Sequence, residues 1–163
     1  MPVPDPVGPN QESVWDYPRP PIIEPTDRHL RIEVGGHVLA DTRQGFRILE
    51  TSHPPTYYFP ADAVRADLLR INHRRTWCEW KGQAHYWDVN LPDRTLHAVG
   101  WSYPSPTPGC GLPPGCIAFY AAPMDRCTVD GKLVTPQPGG FYGGWITDHV
   151  VGPFKGVPGS LGW

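Results

Sequence analysis

Between Trp77 and Tyr103 the chain concentrates side chains able to hold a flat ligand. The run contains Trp77-Cys78-Glu79-Trp80-Lys81-Gly82, then Tyr86-Trp87, then Trp101-Ser102-Tyr103, and takes four of the seven tryptophans and two of the seven tyrosines. Indole and phenol rings are rarely enclosed on every side, and each carries an N–H or O–H that needs a partner. Grouped, they build either a wide core or a ligand-facing wall. Read as a strand, residues 76–81 put Trp77, Glu79 and Lys81 on one face and Cys78 with Trp80 on the other. By the same alternation Trp101 shares a face with Tyr103, while Tyr86 opposes Trp87. Ring surface beside a carboxylate and an ammonium suits a small, planar, polar or cationic ligand. Tyr58 joins the expected ring set, and Asp41 and Arg43, at the end of an earlier hairpin, are candidate polar anchors. The competing reading is an aromatic core with a solvated Glu79–Lys81 pair.

Other chemistries fit less of the pattern. Lys81, desolvated between tryptophans, can act as an acid or base with Glu79 or His85, which would make the same cleft an enzyme site of unknown reaction. More often such a lysine runs its stem past aromatic surface and keeps its charge in water. Cys110 and Cys116 are separated by five residues, and Cys78 and Cys127 stand alone, so the paired knuckles of a zinc site are missing. No metal and no cofactor are expected, and a Cys110–Cys116 disulfide stays open. Gly139-Gly140-Phe141-Tyr142-Gly143-Gly144 lacks the Gly-Lys-Ser/Thr ending of a phosphate loop. Gly100-Trp101-Ser102-Tyr103-Pro104 has proline where a nucleophile elbow needs glycine. Glu50-Thr51-Ser52-His53 holds triad residue types, but adjacency in sequence is not triad geometry.

The elements that must position these residues follow from composition and period. With 22 prolines and 18 glycines in 163 residues, helices are broken and short strands joined by turns are favoured. A mainly β protein results. Residues 1–27 hold eight prolines and form an extended arm; residues 28–135 form the core; residues 136–163, with eight glycines but also Phe141, Tyr142, Trp145, Phe154 and Trp163, form an ordered irregular arm laid over a barrel or a partner. Leu30–Val34 and Val38–Ala40 flank Gly35-Gly36 and read as a hairpin, as do the residues around Asp130-Gly131. Strands are expected at 46–50, 57–59, 76–81, 84–90, 95–103 and 117–121. Pro60 followed by Val64 and Leu68 at i,i+4 predicts one short helix over 60–70.

Charge and hydropathy bound the partners. A net charge of −2 gives no general attraction to nucleic acid or to an anionic membrane, so neither is expected as a partner. Arg65, Arg70, His73, Arg74 and Arg75 form one basic cluster, read as a solvated helix end and loop or as a phosphate contact. No apolar run nears the ~20 residues of a membrane span. Met1-Pro2-Val3-Pro4-Asp5-Pro6 lacks the features of a signal peptide, which predicts a cytoplasmic protein with reduced cysteines. A homodimer formed through the terminal arms, around Trp15 or Trp145, is the third functional reading.

Several of these motifs together resemble one family. Val14-Trp15-Asp16-Tyr17-Pro18-Arg19-Pro20-Pro21, Ala40-Asp41-Thr42-Arg43, Pro55-Thr56-Tyr57-Tyr58-Phe59-Pro60, Cys78-Glu79-Trp80-Lys81-Gly82, Tyr86-Trp87, Trp101-Ser102-Tyr103-Pro104 and the run from Gln137 to Thr147 are similar to domain of unknown function 427. The resemblance spans Trp15 to Trp163. It implies a small antiparallel β-tent, or Mss4-like, architecture, whose zinc-bearing relatives carry Cys-x-x-Cys knuckles that this chain lacks. The family is sometimes labelled nucleotidyltransferase, yet the residues offer neither a phosphate loop nor a metal-binding carboxylate pair.

Overall fold

The computed structural model describes residues 1–163. In chain order the strands are β1 (Glu12–Ser13), β2 (Ile22–Thr26), β3 (Leu30–Val34), β4 (His37–Thr42), β5 (Gly45–Leu49), β6 (Thr56–Tyr58), β7 (Leu69–Cys78) and β8 (Gly82–Asn90). They continue with β9 (Thr95–Ser102), β10 (Ile117–Phe119), β11 (Arg126–Val129), β12 (Lys132–Leu133), β13 (Thr135–Pro136), β14 (Trp145–Ile146) and β15 (Val150–Val151). The protein is mainly β, as composition predicts.

Three antiparallel sheets carry the architecture, in the orders β12-β11-β3-β4, β10-β9-β8-β7 and β2-β5-β6. The β3–β4 turn uses Gly35 and Gly36 at φ 58° and 79°, the positive angles a primed hairpin turn demands. Along β3, Leu30, Ile32 and Val34 are buried while Arg31 and Glu33 reach solvent. An antiparallel bridge between Phe59 and Ile117 links the β2-β5-β6 sheet to β10. The main core of 18 buried residues includes Leu30, Ile32, Leu39, Phe59, Val89, Phe119 and Trp145. These sheets do not close into a barrel.

Residues 60–70 do not form the expected helix. Two 3-10 turns, Ala61–Ala63 and Ala66–Leu68, are separated by Val64 in extended backbone (φ −111°, ψ 139°). Val64 bridges Ala40, and the Arg65 N–H donates to the Leu39 carbonyl at 2.8 Å. An isolated helix this short is marginal in water, and bonds to β4 replace it. All helical elements are three-residue turns, and none is long and apolar enough to cross a membrane.

The basic cluster is likewise displaced from its expected setting. Apart from Arg65 it lies on β7, the edge strand of its sheet, rather than at a helix end and loop. β7 stops at Cys78, and Glu79–Lys81 make the turn into β8. The two arms meet: β1 pairs with β15, and the Trp15 and Trp163 rings lie 5.6 Å apart. Val14 and Tyr17 pack with Leu49 and Val150, so the Trp15 segment docks on its own chain.

Candidate functional site

The β10-β9-β8-β7 sheet has a different partner on each face. Tyr86 of β8 lies opposite Trp101 of β9. Strand alternation sends Ala84, Tyr86 and Trp101 into a second cluster of 10 buried residues with Tyr58, Tyr103, Cys110 and Cys116. Trp87 and Val89 turn the other way, against the main core.

A cleft of about 370 Å³ opens onto the aromatic face. Its floor is Tyr58, Tyr86, Trp101 and Tyr103; Tyr58 is fully enclosed, and the other three expose no more than 8% of their surface, so each of those offers an edge rather than a whole ring. The Trp101 indole N–H donates to the Tyr58 hydroxyl at 3.2 Å, and the Tyr86 and Thr76 hydroxyls share a bond of 2.9 Å. Burial pushes the phenols of Tyr58 and Tyr103 far above the ordinary tyrosine range, so they stay neutral. Tyr120 packs on Trp101 with ring centres 4.7 Å apart.

The glycine-rich arm covers part of this floor with Phe141, Tyr142 and Gly143. Only glycine fits at position 143, because a Cβ there would run into the Trp101 ring. Glu50 and His53, in the turn after β5, form a side wall with Gln137 and Lys155. His53 meets the Tyr142 ring edge-on at 5.0 Å.

Cations crowd the cleft. Lys81 Nζ lies 5.5 Å from the Tyr103 ring centre, Lys155 Nζ 5.8 Å from that of Tyr142, and the Arg74 guanidinium 4.7 Å from that of Tyr86. All three tyrosines line the cleft. Burial, foremost, lowers the His53 pKa; Glu50 opposes the shift, while Lys155, Lys81 and Arg19 reinforce it. The ring is therefore neutral at neutral pH. Against two lining ammonium groups the cleft sets one carboxylate, Glu50.

Of the residues expected at a site, Tyr58, Trp77, Lys81, Tyr86, Trp101 and Tyr103 converge here, with Trp77 exposed at the rim. Four others do not. Glu79 falls in the turn, outside the alternation that would have aligned it with Trp77. Trp87 lies on the opposite sheet face and donates its N–H to Ser102 Oγ at 3.0 Å. Asp41 is held on β4 by Arg31 (2.7 Å) and His29 (2.8 Å). Partial burial works against its charge, but those hydrogen bonds prevail and keep its carboxyl below the ordinary range. Arg43 lines a separate hollow of about 570 Å³ with Arg28 and Arg47, where Phe46 is the one ring. Arg47 is paired with Glu12 and Glu24 there, whereas Arg28 and Arg43 have no ion-pair partner, so the hollow has charge to offer but little ring surface for a flat ligand to stack on. His85 bonds Gln83 rather than the cleft. The residues that sequence reasoning missed are Glu50, His53, Tyr120, Gln137, Tyr142 and Lys155. The one local signal for the arm was aromatic side chains set among glycines.

All four cysteines are free thiols. Burial alone raises the Cys127 thiol to about 12, and Cys116 is also raised. Neither is poised as a nucleophile at neutral pH.

Residues 22–130 match the family model described as Domain of unknown function (DUF427). The match covers two thirds of the chain, which belongs to this family. It takes in β2 to β11 and the aromatic strands, and stops before the arm that supplies Gln137, Tyr142 and Lys155. A comparison with curated proteins gives no match.

Proposed function

We propose that this domain binds a small planar anion in the aromatic cleft. The observation that carries the reading is the three cation–tyrosine pairs, Arg74–Tyr86, Lys81–Tyr103 and Lys155–Tyr142, gathered around one cavity. A cationic ligand would find those ring faces already occupied and the local field opposed to it. An anion with a flat body gains twice, from ring edges below and from ammonium groups beside it. The volume falls within the range of small-molecule sites, about 300–1,000 Å³. Two ring contacts at ~1 kcal/mol each and one or two charge-assisted hydrogen bonds at ~1.5–3 kcal/mol fall short of the ~8.2 kcal/mol that micromolar affinity requires even before association costs, so these contacts set orientation and charge preference, and tight binding needs apolar burial of the ligand body as well.

Turnover in the same cleft has less support. Of Lys81, Glu79 and His85, only Lys81 lines it. An arm-mediated dimer built on Trp145 has less still, since that ring is 1% exposed within the chain's own core. A thermal-shift panel of naphthoate, naphthamide and naphthylamine tests the reading. Stabilisation by naphthoate alone, lost in Lys81→Met and Lys155→Met, is the expected result. Equal stabilisation by all three, or by the amine alone, would defeat it.

A further inference from the structure

Gln137 is 4% exposed, and two backbone groups fix which way its amide points. The Gly144 N–H donates to Oε1 at 3.1 Å, and Nε2 donates to the Lys155 carbonyl at 2.9 Å. Neither partner can exchange roles, so the amide cannot be flipped. His53 Nδ1 lies 3.1 Å from the same Nε2, within reach of its remaining hydrogen. An amide nitrogen has no lone pair to offer, so Nδ1 must accept. The proton of the neutral ring then sits on the other nitrogen, His53 Nε2. A doubly protonated ring would push Nδ1–H against the amide N–H.

Nε2 has no close partner of its own. The nearest carboxylate oxygen, Glu50 Oε2, is 3.9 Å away, beyond hydrogen-bond reach. His53 also feels Lys155, Lys81 and Arg19, and the Tyr142 ring packs on it edge-on. Of these only Glu50 favours a second proton.

We propose that Gln137 locks His53 as a neutral Nε2–H donor, and that this N–H recognises a carboxylate oxygen of the planar ligand. The proposal rests on the cleft being a ligand site, and it narrows the ligand to an aromatic carboxylate. With Nδ1 engaged and Nε2 already protonated, His53 cannot serve as a base. A ligand ammonium finds one carboxylate, Glu50, set against Lys81 and Lys155, so the charged groups favour an anionic oxygen over a cationic nitrogen. Gln137 acts through His53 and is a positioning residue.

Ring-nitrogen NMR of the full chain tests the lock. His53 should carry a bare Nδ1 and a protonated Nε2 at neutral pH, and Gln137→Glu should move the proton to Nδ1. A wild-type Nδ1–H form, or a doubly protonated ring at neutral pH, overturns the lock. Naphthoate is then titrated in, with naphthamide as control. Naphthoate should shift the Nε2–H resonance saturably, and His53→Phe should weaken binding roughly tenfold, the loss of one hydrogen bond to a charged group. Unchanged affinity in His53→Phe overturns the donor role while leaving the cleft a ligand site. An intact lock with no naphthoate binding at all removes the cleft as a site, and the donor role with it.

Discussion

The two faces of the β10-β9-β8-β7 sheet are built from alternate residues of the same strands, yet they have opposite fates. On one, Val89 joins the main apolar core closed by β3, β4 and β11, and Trp87, partly buried, packs against it. On the other, Tyr86 and Trp101 meet an irregular arm that covers them incompletely and brings Tyr142 and Lys155 with it. A regular sheet layer excludes water along its whole length. A glycine-rich arm approaches closely at one point, Gly143 on Trp101, and leaves space beside it. That contrast locates the candidate site, and it can be broken or sharpened from either side.

The largest effect is expected on the sealed face. Trp145 is enclosed by Tyr57 and Phe59 and donates its N–H to the Phe119 carbonyl at 3.0 Å. Trp145→Ala should cost about 3–5 kcal/mol in urea denaturation, through the cavity it leaves. A cost below about 1 kcal/mol would mean that this face is not tightly packed.

On the open face, Gly143→Ala should cost about 1–3 kcal/mol by forcing the arm off Trp101. Unlike Trp145→Ala, it should also raise the exposure of Trp101 in fluorescence quenching. A fully stable variant with unchanged quenching would remove the arm as the cover of the cleft.

Smaller still is the pH response, which separates the histidines from the carboxylates. Burial foremost lowers the folded pKa of both His53 and His149. Such a ring binds its proton more weakly folded than unfolded, so its contribution is complete above about pH 6.5 and is lost as pH falls below that. Stability should therefore drop between about pH 7.5 and about pH 5.5, and His53→Phe should flatten part of that drop. Glu12, Asp41 and Asp88 are lowered too, in each case because hydrogen bonds outweigh desolvation. Their share persists to below about pH 4.5 and goes as they protonate. A stability curve flat from about pH 7.5 to about pH 5.5 would contradict the buried neutral histidines.

How much of this the chain discloses in its order of residues depends on how local the cause is. Gly35-Gly36 and Asp130-Gly131 fix their own turns, and the alternation of Leu30 to Val34 fixes a face, so the hairpins are legible. The 60–70 segment carries an i,i+4 signal that backbone bonds from Leu39 and Ala40 override. At the site, Tyr58, Lys81, Tyr86, Trp101 and Tyr103 could be named from ring clustering. Glu79 and Trp87 fall outside the site, the one because the strand ends at Cys78, the other because a shared segment is not a shared face. Gln137 sits 84 residues from His53, and no local pattern records that pairing.

The most direct test compares the indole N–H signals of both faces in one spectrum. During titration with naphthoate, Trp101 and Trp77 should shift together and saturate, while Trp87 and Trp145, on the sealed side, should stay where they are. No shift at Trp101 and Trp77, or equal shifts at all four indoles, would contradict a ligand cleft confined to the open face.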